Sequence, residues 1–112
     1  MKKVIYISGA ISGLPREEYM KRFADAEQEL IKQGYKVLNP TKLLPSRHLW
    51  VYRLFGYKLT LLYDLWHLMK CEGIYMIKGW ENSKGARLEM ATASIFNLEI
   101  KLENNETYNK RR

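Results

Sequence analysis

Between Gly79 and Glu89 the chain reads Gly-Trp-Glu-Asn-Ser-Lys-Gly-Ala-Arg-Leu-Glu, where a buried-strand pattern gives way to a small-residue helix pattern. Glu89 then stands at a strand-to-helix crevice, one turn inside a helix that opens at Ser83-Lys84-Gly85. Ala86, Leu88, Ala91, Ala93 and Ile95 read as the face of that helix that packs on a sheet, and Glu89 falls among them. Ionising a buried carboxylate costs several kcal/mol unless partners compensate, so such a residue needs a chemical reason. The alternative is an exposed glutamate paired with Lys84 or Arg87, a contact worth about 0.3–0.5 kcal/mol. Spacing alone does not separate the two.

A second group of residues points to anions. The segment Ser8-Gly9-Ala10-Ile11-Ser12-Gly13-Leu14-Pro15 combines two glycines, two hydroxyls and a helix start. Backbone N–H groups with little side-chain bulk, set against a helix dipole, make an anion cradle. By itself the signal is weak, because the P-loop lysine and the full dinucleotide fingerprint are both missing. Asp64, in Asp-Leu-Trp-His-Leu, offers a second carboxyl group. Cys71, His48 and His67 show no metal-ligand spacing, so no metal and no cofactor are expected.

Positioning these groups requires strands alternating with helices. Val4–Ser8 is a β-branched apolar run and reads as a buried first strand. Pro15 opens a helix to Gln33, with Tyr19, Phe23, Ala26 and Leu30 at helical spacing, Glu17 and Glu18 in the first turn and Gly34 as the stop. Residues 35–38 form a second strand closed by Asn39-Pro40. Residues 41–59 have no single period and read as a helix broken near Gly56 or as a mobile lid. A helix over 60–70 carries Leu61, Leu62, Leu65, Leu68 and Met69 on its apolar side. Strands over 73–77 and 98–102 flank a last helix over 83–97. The alternation implies βαβ crossovers. The expected fold is one α/β, Rossmann- or flavodoxin-like three-layer domain with a four- or five-stranded parallel sheet. It spans residues 1–102, with 103–112 as a polar tail expected to be disordered. Ligands of such sheets bind at the carboxyl ends of strands, where the Gly9–Gly13 and Gly79–Glu89 loops both lie. If the first and third strands are neighbours, the two loops line one crevice.

Taken together, these residues resemble the nucleoside 2-deoxyribosyltransferase superfamily, including its deoxynucleoside 5′-monophosphate N-glycosidases, and in particular a small uncharacterised bacterial and phage branch. The resemblance runs from Val4 to about Ile100. Tyr6 in Ile-Tyr-Ile-Ser-Gly is similar to the family tyrosine that holds the nucleophile, and Gly9 to Gly13 to the loop around the nucleotide 5′ end. Asp64 resembles the active-site aspartate. Ser83-Lys84-Gly85-Ala86-Arg87-Leu88-Glu89 resembles the family serine, glycine and nucleophilic glutamate at their usual spacing. What the resemblance implies is Glu89 as nucleophile, Tyr6 orienting it and Asp64 helping the base depart. Ser8, Gly9, Ala10, Ile11, Ser12, Gly13, Asn82, Ser83 and Gly85 would bind substrate or its phosphate. Two departures bear on the ligand: Asn82 stands where nucleoside transferases carry an aspartate, and Ser12 where monophosphate hydrolases carry an arginine.

Composition narrows the classes. The 112 residues carry 19 Lys and Arg against 12 Asp and Glu, a formal charge of +7. That balance suits a nucleotide phosphate; it would also suit nucleic acid. A nucleic-acid module would use Arg47, His48, Trp50, Arg53 and Lys58, but no recognised motif or long basic run occurs, so that partner is disfavoured. A non-catalytic nucleotide sensor or sequestering protein is a further alternative. One cysteine excludes an intrachain disulfide. Met1-Lys2-Lys3 leads straight into a strand, so a reducing cytoplasm is expected and a membrane is not. The apolar, aromatic-rich segment 49–68 and the family resemblance lead us to expect a homo-oligomer, a dimer or higher.

Overall fold

The computed structural model describes residues 2–11, 13–42, 62–103 and 106–107. The reading of residues 41–59 as broken helix or lid lies outside these except at residues 41 and 42. So do Ser12 and the residues named for a nucleic-acid module.

The chain runs β1 (Val4–Ser8), α1 (Arg16–Lys32), β2 (Lys36–Leu38), a 3-10 turn (Pro40–Lys42) and α2 (62–68). It continues through β3 (Gly73–Met76), a second 3-10 turn (Trp80–Asn82), α3 (Lys84–Ile95), β4 (Glu99–Leu102) and β5 (Glu106–Thr107). The sheet order is β2-β1-β3-β4-β5. The first four strands are parallel, and β5 pairs antiparallel with β4 through Lys101↔Thr107 and Leu102↔Glu106. The fold is therefore the expected Rossmann- or flavodoxin-like one, with a correction at the fifth strand. It arises within the segment read as a polar tail and runs antiparallel, because so short a connection from β4 allows only a hairpin-type return.

Period-two alternation divides the core into two layers. Ile5, Ile7, Tyr75 and Ile77 face α1 and meet Phe23, Ala26 and Leu30, the spacing expected of that helix. On the opposite face Tyr6, Ile74, Met76 and Ile100 pack with Leu68, Cys71, Ala86 and Ala93. Cys71 is a buried core thiol, pushed up to about 11 by burial and then by Glu72. Between β1 and β4 the backbone leaves no room at Gly73, where a Cβ would sit 2.8 Å from Ile5 Cδ1 and 3.0 Å from the Glu99 carbonyl oxygen.

Two helix faces differ from the sequence reading. In α3 the buried residues are Ala86, Glu89 and Ala93, whereas Leu88 and Ile95 point outward. Residues 86, 89, 90 and 93 share one stripe of a 3.6-residue helix, and 88 and 95 fall on another, so apolarity alone selected the wrong set. In α2, Leu68 is buried and Leu65 packs on the core, but Leu62, Trp66 and, in the turn after the helix, Met69 are exposed.

Candidate functional site

Tyr6 and Ser8 alternate onto the face of β1 that α3 crosses. The small residues Ala86 and Ala93 let that helix approach the sheet closely, and Glu89 lies between them at 6% exposure. Its carboxylate is held at both ends. The Tyr6 hydroxyl donates to Oε2 at 2.8 Å, and the Ser8 hydroxyl donates to Oε1 at 2.5 Å. Burial raises the Glu89 carboxyl to about 7; the Ser8 and Tyr6 hydroxyls pull it down, and the Asp64 carboxylate pushes it further up. Burial, followed by the charges of Glu89 and Asp64, holds the Tyr6 phenol well above its ordinary range, so it remains a donor.

Asp64 stands on α2, half-buried, within electrostatic range of both Tyr6 and Glu89. One turn on, His67 meets the rings of Tyr63 and Trp66 edge-to-face at 4.7 and 5.1 Å.

The loops meet as the adjacency of β1 and β3 requires. Gly9 passes so close to the end of β3 that a Cβ would lie 3.0 Å from Ile77 Cβ. The Ile11 carbonyl accepts from the Leu14 N–H at 3.2 Å, turning the chain toward α1. After β3, Gly79 at φ 93 enters the 3-10 turn in the left-handed region, where a side chain would be strained. Ser83 caps α3 by accepting the Ala86 N–H at 3.2 Å, and Gly85 sits in the first turn. Arg87 donates to the Glu81 carbonyl at 2.7 Å.

Of the residues assigned to substrate binding, Ser8 is turned toward Glu89. The sequence reading assigns Ser8 to the substrate; the signal it passed over is the i+2 position after Tyr6, which puts both hydroxyls on one face of β1. Ala10, Gly13 and Asn82 instead line a cavity of about 870 Å³ on the α1 face, whose lining does not include Glu89. That cavity's other residues, Tyr75 and Glu103 among them, carried no motif in the sequence.

A family model described as a domain of unknown function, DUF4406, matches residues 3–102. The chain belongs to that family. Among proteins of curated function, none matches it. Among solved structures, the solution structure of BlsM is similar, with a TM-score of 0.58 and 18% identity over 90% of this chain. The match covers 64% of BlsM, less than two thirds of its length, and shows a shared fold. Among the described residues of this DUF4406 member, no helix is long and apolar enough to cross a membrane.

Proposed function

We propose that the chain cleaves the N-glycosidic bond of a (deoxy)nucleoside 5′-monophosphate, as a hydrolase or deoxyribosyltransferase, with Glu89 as nucleophile. The observation that carries this reading is the 2.8 Å hydrogen bond from Tyr6 on β1 to a buried carboxylate on α3. It ties together the two residues whose motifs resemble the family's nucleophile and its holder.

The transition state of such a cleavage is oxocarbenium-like, which an adjacent carboxylate stabilises or captures. A Glu89 oxygen bonds to the sugar C1′ as the C1′–N bond breaks and its electron pair leaves with the base. Asp64, when protonated, supplies the departing base with a proton. Water or a second base then attacks C1′, restores the Glu89 carboxylate and gives up a proton to Asp64. Each Glu89 oxygen that accepts a hydroxyl retains a further lone pair for this chemistry. The 5′-phosphate would lie against the Gly9–Gly13 loop and the α3 start at Ser83 and Gly85, beside the neutral Asn82.

Chromatographic screening of nucleosides and their monophosphates for released base tests the proposal. Release by the wild type and loss in Glu89→Gln is the expected result. Absence of release from every substrate would overturn it. The closed clamp on Glu89 favours a second reading, nucleotide binding without turnover, which the same screen coupled to a binding measurement separates.

We also propose that the chain is a homo-oligomer, located in the cytoplasm. The exposed Leu62 and Trp66 of α2 and Met69 in the turn after it recur at helical spacing, and Leu88 and Ile95 of α3 are exposed as well. Light scattering showing a monomer across a wide concentration range would refute the assembly.

A further inference from the structure

The cavity on the α1 face has a composition unlike the rest of this basic chain. Asp25 and Glu29 from α1 and Glu103 after β4 line it, against the two cations Arg22 and Lys78, so carboxylates are in excess. Arg22 is already neutralised by Glu18 at 2.8 Å and the exposed Asp25 by Lys21 at 2.9 Å, which leaves Glu29 and Glu103 against Lys78. Tyr75 lines the same cavity at 8% exposure, and its hydroxyl makes no hydrogen bond among the described residues. Its phenol is raised above the ordinary range by burial and then by Glu103 and Glu29, so both carboxylates lie within electrostatic range of it. The strand cation Lys101 pairs with Glu99 at 3.4 Å and sits over the Tyr35 ring.

Each lining carboxylate is held by one oxygen. Glu103 Oε1 accepts the Lys78 N–H at 2.6 Å, Glu29 Oε2 the Gln33 amide at 2.8 Å, and Asp25 Oδ2 the Lys21 ammonium at 2.9 Å. The second oxygen of each takes no donor among the described residues. With the Tyr75 hydroxyl, these are acceptors from separate elements around one space. An ammonium group presents three donors and no acceptor, which is the complement of this arrangement. Asp25 and Glu29 lie one helical turn apart, about 5–6 Å between Cβ atoms, a reach that a butylene-bridged pair of ammonium groups can match.

We infer that this cavity binds a small organic diamine, with one ammonium between Glu29, Glu103 and Tyr75 and the other toward Asp25. The lining does not include Glu89, but it does include Ala10, Gly13 and Asn82, so the site adjoins the loops proposed for the 5′-phosphate. Because the chain carries a formal charge of +7, a dication is repelled at long range, and saturable binding requires a local site.

Calorimetric titration of putrescine into the full chain at low ionic strength tests this directly. Saturable binding is expected, weakened at least tenfold in Glu29→Gln/Glu103→Gln and several-fold in Tyr75→Phe. Amide chemical shifts of the wild type, followed in the same titration, should move around Tyr75, Lys78 and Glu103. No saturable binding, an unchanged affinity in the double variant, or shifts clustered elsewhere would each overturn the inference.

Discussion

The Ser8 hydroxyl donates to Glu89 Oε1 at 2.5 Å across the β1–α3 interface, closing the carboxylate from the side opposite Tyr6. This bond favours the ionised form of Glu89 against the burial that disfavours it. Ser8→Ala should therefore push the Glu89 carboxyl further above about 7. The alkaline-going rise of activity would shift to higher pH with it, since the nucleophile must be ionised. The midpoint can be read without turnover from the pH titration of the carboxyl carbon by NMR. A midpoint that stays put or falls would show that Ser8 does not support the charge.

Gly73 tests the close approach of β1, β3 and β4. Its substitution by Ala places a Cβ against the Glu99 backbone oxygen, at 3.0 Å, which a flexible side chain cannot relieve. Overpacking of this kind costs about 1–3 kcal/mol. Urea denaturation of Gly73→Ala should show a lower midpoint with little change in slope; an unchanged midpoint would mean that the strands part freely.

How far the sequence carried the argument differs between elements. The first strand and α1 were readable, because Val4–Ile7 is a β-branched and aromatic run and Phe23, Ala26 and Leu30 keep one helical stripe. For Glu89 the spacing left a buried carboxylate and an exposed glutamate both open, and its neighbours Leu88 and Ile95 were misplaced. Helix phase is set by close packing of Ala86 and Ala93 on the sheet, and alanines give a weaker apolar signal than leucines. The diamine cavity was not readable at all. Glu29, Tyr75 and Glu103 belong to three elements, and only the sheet order brings them together.

Phosphate preference follows from what stands at the rim. Asn82 places no negative charge beside Ser83, and the Gly9–Gly13 loop leads into α1, so a 5′-phosphate should bind more tightly than a 5′-hydroxyl. Each charge-assisted hydrogen bond gained is worth roughly 1.5–3 kcal/mol. Titrating a deoxynucleoside and its monophosphate into Glu89→Gln protein compares the two without turnover. Equal affinities, or tighter binding of the nucleoside, would return the chain to nucleoside chemistry.

The buried charge of Glu89 also predicts a conflict between function and stability. Its folded carboxyl titrates near 7 against an ordinary value of 4.5, so the native state holds a proton that the unfolded state has already released. Wild-type stability should then fall as pH rises from 4.5 to 7 and level off above that range. The loss is on the order of 3 kcal/mol, from about 1.4 kcal/mol per pKa unit. Gln at this position acquires no charge; its amide oxygen accepts one of the two hydroxyls and its NH2 donates to the oxygen of the other. Thermal melts of Glu89→Gln should consequently exceed those of the wild type by several degrees at pH 8, with the advantage shrinking toward pH 5. A variant less stable than the wild type at pH 8 would mean that the ionised carboxylate is a net support of the fold, not a strain held in place for chemistry.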